Sequence, residues 1–311
     1  MNNQKPFYKI IDEICNEKEI NQKMLSYGWI RELKKNDKNR NIIGYQFDLN
    51  PSVAYEIVSD KFATFEVLNE NNIPMIPHKM IFNPESRSLY YNEQFLEEVF
   101  NLLKSNNNQV VIKANDSCKG KDVHFCSNEQ EIKEVVLKLF EENNATLSAC
   151  PYIDIDYEYR LIYLYGKIIY AYKKKKPYVI GDGKQTVQQL IKEKFQNINL
   201  DICMNLDLNQ IPEKGKEIIV SWKHNLNNGA EPVLIDEKDE FIDKIKEIAV
   251  KAGDAVNIKF ASVDIALTSN KEILVMEING NVCMNKFTEI IPNGYEIAKN
   301  IYSKAIDKMF E

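Results

Sequence analysis

The sequence predicts an α+β protein, on three observations. Apolar runs rich in Val, Ile and Tyr at 109–114, 160–172, 261–267 and 273–278 read as strands. Turn-compatible residues, Tyr165-Gly166-Lys167 and Thr268-Ser269-Asn270-Lys271, interrupt these stretches, which predicts hairpins and so antiparallel pairing. Helical periodicity fills other intervals, but not between every pair of strands, as a doubly wound parallel sheet would require.

The helices follow from caps and stripes. One opens at Ser127, where Gln130 completes a capping box ahead of Ile132, Val135, Val136, Leu139 and Phe140. A second opens at Thr186 with Gln189 in the same relation, and Val187, Leu190 and Ile191 share its apolar face. Residues 239–256 place Phe241, Ile242, Ile245, Ile248, Ala249 and Ala252 on one side, and 295–310 close the chain as an amphipathic helix. The stretch 1–58 carries Tyr27, Trp29, Ile42, Ile43, Tyr45 and Phe47 and reads as a short packed N-terminal domain, or a partner surface.

Composition bounds the function. The 311 residues suggest about two domains at about 150 residues each. With 44% hydrophobic and 28% charged residues the chain reads as soluble and globular. No apolar run reaches the roughly 18 residues that cross a bilayer, and the start has no apolar signal core, so a cytoplasmic protein without membrane contact is expected. The 40 Lys and Arg against 46 Asp and Glu give a net charge of −6, which argues against nucleic acid as a partner. The 6 cysteines form no CxxC pair and are expected to be reduced thiols. Cys118 reads as a small loop residue, because no paired base accompanies it. His78, His124 and His224 share no metal-binding spacing. Neither GxxxxGK[ST] nor GxGxxG is present.

Four segments could carry chemistry. Glu277 and Asn279 are two apart on a strand and share a face, while Ile278 points into the core; a hairpin then aligns Asp264 with them. Two carboxylates and an amide oxygen suit magnesium, or else are acids at solvated strand ends. The run Gln109 to Lys113, followed by the polar loop 115–120, can aim an ammonium and backbone N–H groups at a polyphosphate, or simply end a strand in a lysine. Glu158 and Arg160 share a face, where an inward Arg holds a carboxylate or phosphate with two parallel bonds, or pairs with its neighbour. Lys173 to Lys176 is a cationic run that is either solvated or in touch with substrate.

In order and spacing these residues resemble the ATP-grasp carboxylate/amine ligases over roughly residues 59–290. Ser59-Asp60-Lys61, then Leu68 and Asn72-Ile73-Pro74, is similar to the family's DK…L…GIP segment; Gly181-Asp182-Gly183-Lys184-Gln185-Thr186 with Leu190-Ile191 is similar to the GDG…T…LI element of cyanophycin synthetase and the fused glutathione synthetase. The ribosomal-protein glutamate ligase is the second branch resembled. The resemblance implies an ATP-grasp fold, with a central subdomain including the nucleotide lid at 59–153 and a catalytic subdomain at 154–311. It implies Lys61 and Lys113 as nucleotide lysines, Lys119 and Gly120 in the lid, and a hinge at Cys150, Tyr152 and Ile153 that holds adenine, with Glu158 also contributing to nucleotide binding. Arg160, Lys113 and Asn225 are implied as catalytic, and Asp264, Glu277 and Asn279 as ligands of two magnesium ions, manganese being able to substitute.

The implied activity is ATP-dependent amide formation between a carboxylate and an amine of amino acids or short peptides through an acyl phosphate, releasing ADP and phosphate. The expected partners are ATP and those substrates, with a homo-oligomer compatible with the family. A larger peptide acceptor, a small-molecule kinase and a non-catalytic ATP-binding regulator stay open as alternatives. Ser117 and Asp122 stand where the family's lid commonly has glycine, Pro151 replaces the hinge acid, and Gly280-Asn281-Val282-Cys283 replaces the usual run after the last metal ligand.

Overall fold

The computed structural model describes residues 5–86, 95–116, 123–195 and 206–311. Helix α1 (Pro6–Glu17) opens with proline in its first turn, where the missing N–H has no intrahelical partner to lose. It is followed by an antiparallel meander of β1 (Asn21–Leu25), β2 (Ile30–Lys35), β3 (Lys38–Ile43) and β4 (Gln46–Phe47), then by α2 (Ser52–Ser59) and α3 (Lys61–Glu70). The next unit holds β5 (Lys79–Phe82), α4 (Phe95–Ser105), β6 (Val110–Ala114), β7 (Val123–Cys126), α5 (Glu129–Glu141) and β8 (Thr146–Pro151). Its sheet has the order β5-β8-β6-β7, all pairs antiparallel.

The third unit contains β9 (Ile155–Leu164), β10 (Lys167–Lys175), β11 (Tyr178–Ile180), α6 (Val187–Lys194), β12 (Glu217–Ile219), β13 (Glu231–Val233), α7 (Ile242–Ala255), β14 (Phe260–Thr268), β15 (Ile273–Asn279), α8 (Asn285–Ile290) and α9 (Gly294–Phe310). Five of its strands form an antiparallel sheet ordered β13-β10-β9-β14-β15, and β11 pairs with β12 in a small satellite. Both expected hairpins form, β9–β10 and β14–β15. Tyr165 and Gly166 both take positive φ, 45° and 76°, the signs a tight turn needs to follow the right-handed strand twist.

One face of the five-stranded sheet packs Tyr159, Leu161, Tyr163, Val263 and Ile265 against Ile245, Ala249 and Ala252 of α7. The helix comes so close at Gly253 that a Cβ there would lie 2.7 Å from the Tyr163 ring. At one end of the opposite face, Ile162, Leu164, Tyr172 and Phe260 join Phe7, Ile10 and Ile14 of α1, Leu33 and Ile42 of the meander, and Ile301, Tyr302 and Ile306 of α9 in one apolar cluster. The N-terminal meander therefore packs, and it does so against the end of the chain. The other end of that face is left to polar side chains.

Two helix starts differ from the sequence reading. The cap of α5 is Asn128, whose Oδ1 accepts from the Glu131 N–H at 2.9 Å, while the Glu131 carboxylate accepts from the Ser127 N–H at 2.7 Å. An ionised acceptor makes a stronger bond than the Gln130 amide, so the box shifts by one residue. Helix α7 begins at Ile242, and Asp239 lies in the turn before it, its carboxylate held by Lys173 at 2.5 Å, the Tyr159 hydroxyl at 2.8 Å and the Phe241 N–H at 3.0 Å. The capping box of Thr186 and Gln189 forms as expected.

Candidate active site

Register builds the site. Directly opposed residues of antiparallel strands share a face. Tyr172 on β10, Arg160 on β9, Asp264 on β14 and Glu277 on β15 thus form one row across the sheet. Beside it runs Lys174, Glu158 and Ala266, with Leu274 opposite Ala266; on the other side run Ile162, Ser262 and Asn279.

Glu158, Lys174 and Asp264 are buried, Arg160 and Glu277 partly so, and all but Glu277 are ion-paired. Arg160 Nε donates to Asp264 Oδ1 at 2.8 Å and Nη2 to Oδ2 at 2.6 Å, a two-pronged bond. Lys174 Nζ lies 3.3 Å from Asp264 Oδ2 and donates to Glu158. Burial disfavours the Asp264 carboxylate, but Arg160 and Lys174 outweigh it and hold the group down at about 2. Burial dominates at Glu158, with Asp264 adding to it against Lys174, and pushes that carboxyl up to about 7. His224 stands at the edge, Nδ1 4.0 Å from Glu158, and is depressed to about 3 by burial and by Lys176 and Lys174. It is a neutral imidazole at physiological pH.

The cationic run is resolved by the period of two. Lys173 turns to the α7 side and Asp239, Lys175 pairs with Glu217, Lys176 with Asp154, and Lys174 enters the site. Lys174 was missed as a site residue, although its place in the hairpin register opposite Glu158 is the signal that finds it.

The two expected nucleotide lysines come from different units, Lys61 from α3 and Lys113 from β6. Asp60 caps α3 by accepting from the Ala63 N–H at 2.8 Å, which places Lys61 in the first turn. Lys61 Nζ is buried and donates to the carbonyls of Asn115 at 3.0 Å and Ala114 at 3.4 Å. Lys113 on β6 opposes Ser148 on β8. Ser148 Oγ bonds His78 Nδ1 at 2.6 Å, and burial, with Lys113 and Lys61, pulls His78 well below the usual histidine range. Lys61, Glu277 and Asn279 line the same cleft together with Ser59, Asp116 and Asn281.

The hinge residues Cys150, Tyr152 and Ile153 meet Ile76, Val111, Val123 and, from the core sheet, Leu274 and Met276 in a second apolar cluster. The Tyr152 N–H donates to the Gln109 carbonyl at 3.1 Å and its carbonyl accepts from Asn106 Nδ2 at 2.9 Å. Tyr152 backbone is thus spent within the lid unit. Asn225 begins a short turn, its side chain accepting from the Asn227 N–H at 2.8 Å, next to His224. Lys119, Gly120 and Cys118 lie outside the described residues.

The donor set fits a hard divalent cation. Asp264 and Glu277 are direct cross-strand partners, and Asn279 Nδ2 donates to Glu277 Oε1 at 2.6 Å. Among the described residues no three His, Cys, Asp or Glu side chains gather closely enough to hold a metal, so an ion here would need the amide oxygen as its third ligand.

This sheet pair, with a cleft between a four-stranded lid unit and a five-stranded core, is the ATP-grasp fold. The chain superposes on a bifunctional glutathione synthetase from Pasteurella multocida with a TM-score of 0.57, 18% identity, 97% of this chain and 44% of that one. On the D-alanine–D-alanine ligase of Bacillus anthracis the TM-score is 0.54, with 15% identity, 84% of this chain and 69% of that one. Residues 183–304 match the RimK-like ATP-grasp domain. In sequence it is similar to the glutathione biosynthesis bifunctional protein GshAB of Listeria welshimeri, 25% identical over 286 residues, covering 83% of this chain and 34% of the relative. Against GshAB of Clostridium perfringens the identity is 23% over 252 residues, 74% of this chain and 30% of the relative. The chain spans about a third of the length of these curated relatives.

Proposed function

We propose that the chain is an ATP-dependent ligase that joins a carboxylate to an amine of amino acids or short peptides through an acyl phosphate, releasing ADP and phosphate. The observation that carries the reading is the two-pronged Arg160–Asp264 pair beside Glu277 and Asn279, in a cleft that also receives Lys61. The similarity to bifunctional glutathione-synthesis proteins supports amino-acid or peptide substrates.

Asp264, Glu277 and Asn279 would hold magnesium, two ions with manganese able to substitute, which supplies positive charge to nucleotide phosphates when bound. Lys61 lines the cleft and Lys113 lies on β6 opposite Ser148, and their ammonium groups would meet the phosphates. The Arg160 fork would exchange Asp264, which it holds here, for a carboxylate or acyl phosphate, with Lys174 beside it. Cys150, Tyr152, Ile153 and Glu158 belong to the nucleotide side, where Ile153 backbone is the group to bond the base, since Tyr152 backbone is spent. Asn225 would approach the anion from the segment beside His224. A mildly acidic chain favours small substrates over nucleic acid. A cytoplasmic location and a homo-oligomer belong to the same reading.

The test is phosphate release from ATP and magnesium with pooled amino acids and short peptides, followed by mass spectrometry. A pool-dependent signal with a product one water lighter than its two parents is expected. ADP formed with a stable phosphorylated product and no amine requirement would instead identify a kinase.

A further inference from the structure

A second cavity, of about 450 Å³, lies between the β2–β3 hairpin and the end of α9 and shares no lining residue with the cleft that holds Lys61 and Glu277. That volume falls within the range of small-molecule sites, roughly 300–1,000 Å³. Part of its lining is apolar. Ile20 and Ile306 belong to the cluster that joins the two ends of the chain, and the partly buried Phe310 packs against it. The rest is charged, and most of that charge is spent. Lys18 pairs with Asp307 at 2.6 Å, Lys38 Nζ donates to the carbonyls of Phe310 at 2.8 Å and Glu311 at 2.7 Å, and the Glu311 carboxylate pairs with Lys308. The side chains of Lys35 and Asp37 bond nothing among the described residues. The hairpin register also sets Lys35 directly opposite Lys38, on the face that Leu33 and Ile42 turn to the apolar cluster. Like charges directly opposed across two strands destabilise each other, and an anion between them relieves that.

We propose that this cavity is a second binding site, for a free amino acid with an apolar side chain. Its carboxylate meets Lys35 and Lys38, its ammonium meets Asp37, and its hydrocarbon covers Ile20, Ile306 and Phe310. Both unspent charges are then matched, and the apolar part of the lining is removed from water. A bare anion fits less well, because Asp37, Asp307 and Glu311 line the same space and repel it; a bare cation meets Lys18, Lys35 and Lys38. Because the two cavities have no residue in common, the proposal does not rest on the nucleotide reading of the cleft. Its ligand is nevertheless of the class proposed as substrate, so the experiment has to separate the two places.

Calorimetry on the chain without nucleotide or metal tests this, with leucine, glycine, N-acetylleucine, leucinamide and inorganic phosphate as probes. Leucine is expected to bind with a Kd of about 1 mM or tighter. Glycine should bind at least about tenfold more weakly, since it lacks the hydrocarbon. N-acetylleucine and leucinamide, each missing one charge, should also lose about tenfold. Lys35→Gln and Asp37→Asn lie at an exposed turn and should each weaken leucine about tenfold with the unfolding midpoint unchanged, whereas Glu277→Gln should leave leucine binding as it is. Amide exchange should slow at 35–38 and 306–310 when leucine is added. Absence of leucine binding at about 10 mM would overturn the proposal. So would phosphate binding as tightly as leucine, which would make the place a cationic patch. Leucine binding kept in Lys35→Gln and Asp37→Asn but lost in Glu277→Gln would put the amino acid in the cleft, overturning the second site and supporting the ligase reading.

Discussion

Asp264 and Glu277 face each other across two strands, yet they should answer substitution differently. Asp264 neutralises the buried Lys174 and the partly buried Arg160, so Asp264→Asn leaves both without their shared anion and is expected to cost about 3–5 kcal/mol of stability as well as activity. Among the described residues the Glu277 side chain bonds only the Asn279 amide, so Glu277→Gln should abolish turnover and leave the unfolding midpoint nearly unchanged. Thermal unfolding and phosphate release, measured on both variants, separate the roles; retained turnover in Glu277→Gln would remove Glu277 from the metal site. His224 gives a pH signature. Its folded value of about 3 lies below the ordinary 6.5, so between those values the unfolded chain binds the extra proton. The stability His224 contributes is complete above pH 6.5 and is lost as pH falls towards 3, by up to about 1.4 kcal/mol per pH unit. Replacing His224 with Gln should flatten the decline of the unfolding midpoint between pH 6.5 and 4; an unchanged slope would contradict the buried neutral imidazole.

Helices and strands were legible where a local rule decides them. The hairpin at 268–271 sets the register that aligns Asp264 with Glu277, which the sequence shows, whereas the pairing of β9 with β14 that brings Arg160 opposite Asp264 joins distant segments and no local rule announces it. Lys174 could not be separated from Lys173 by residue type, because only the phase of the strand decides which ammonium faces Asp264. At α5 the competition between neighbouring caps was misjudged, Asn128 and Glu131 taking the place of Ser127 and Gln130. Asn128→Ala should therefore cost about 1 kcal/mol, and Ser127→Ala much less, since Ser127 offers its backbone N–H with either side chain. Chemical denaturation of the two variants checks the order; a larger loss for Ser127→Ala would restore the original cap.

At the scale of the molecule, the least legible feature was the union of the two ends of the chain. Phe7 and Tyr302 stack edge to face at 5.0 Å although their sequence positions are far apart, and apolar periodicity within a segment says nothing of its partner. The same tyrosine ties the loop after β15, its hydroxyl donating to the Val282 carbonyl at 3.1 Å and accepting from the Met284 N–H at 2.9 Å. Tyr45 of the meander accepts from Asn285 Nδ2 at 2.8 Å, so the N-terminal unit and α9 together support the chain leaving β15. Phe7→Ala should cost about 3–5 kcal/mol and loosen that loop, seen as faster amide exchange at 282–285; exchange unchanged there would separate the N-terminal unit from the site.

The central claim is that phosphate leaves ATP onto a substrate carboxylate before an amine replaces it. Once a positive pool names the acid, its carboxylate is labelled with ¹⁸O and the released phosphate is weighed. One ¹⁸O atom in each phosphate is the result this account predicts, since the acyl phosphate carries a carboxylate oxygen away. Phosphate without label, while the amide still forms, would contradict it.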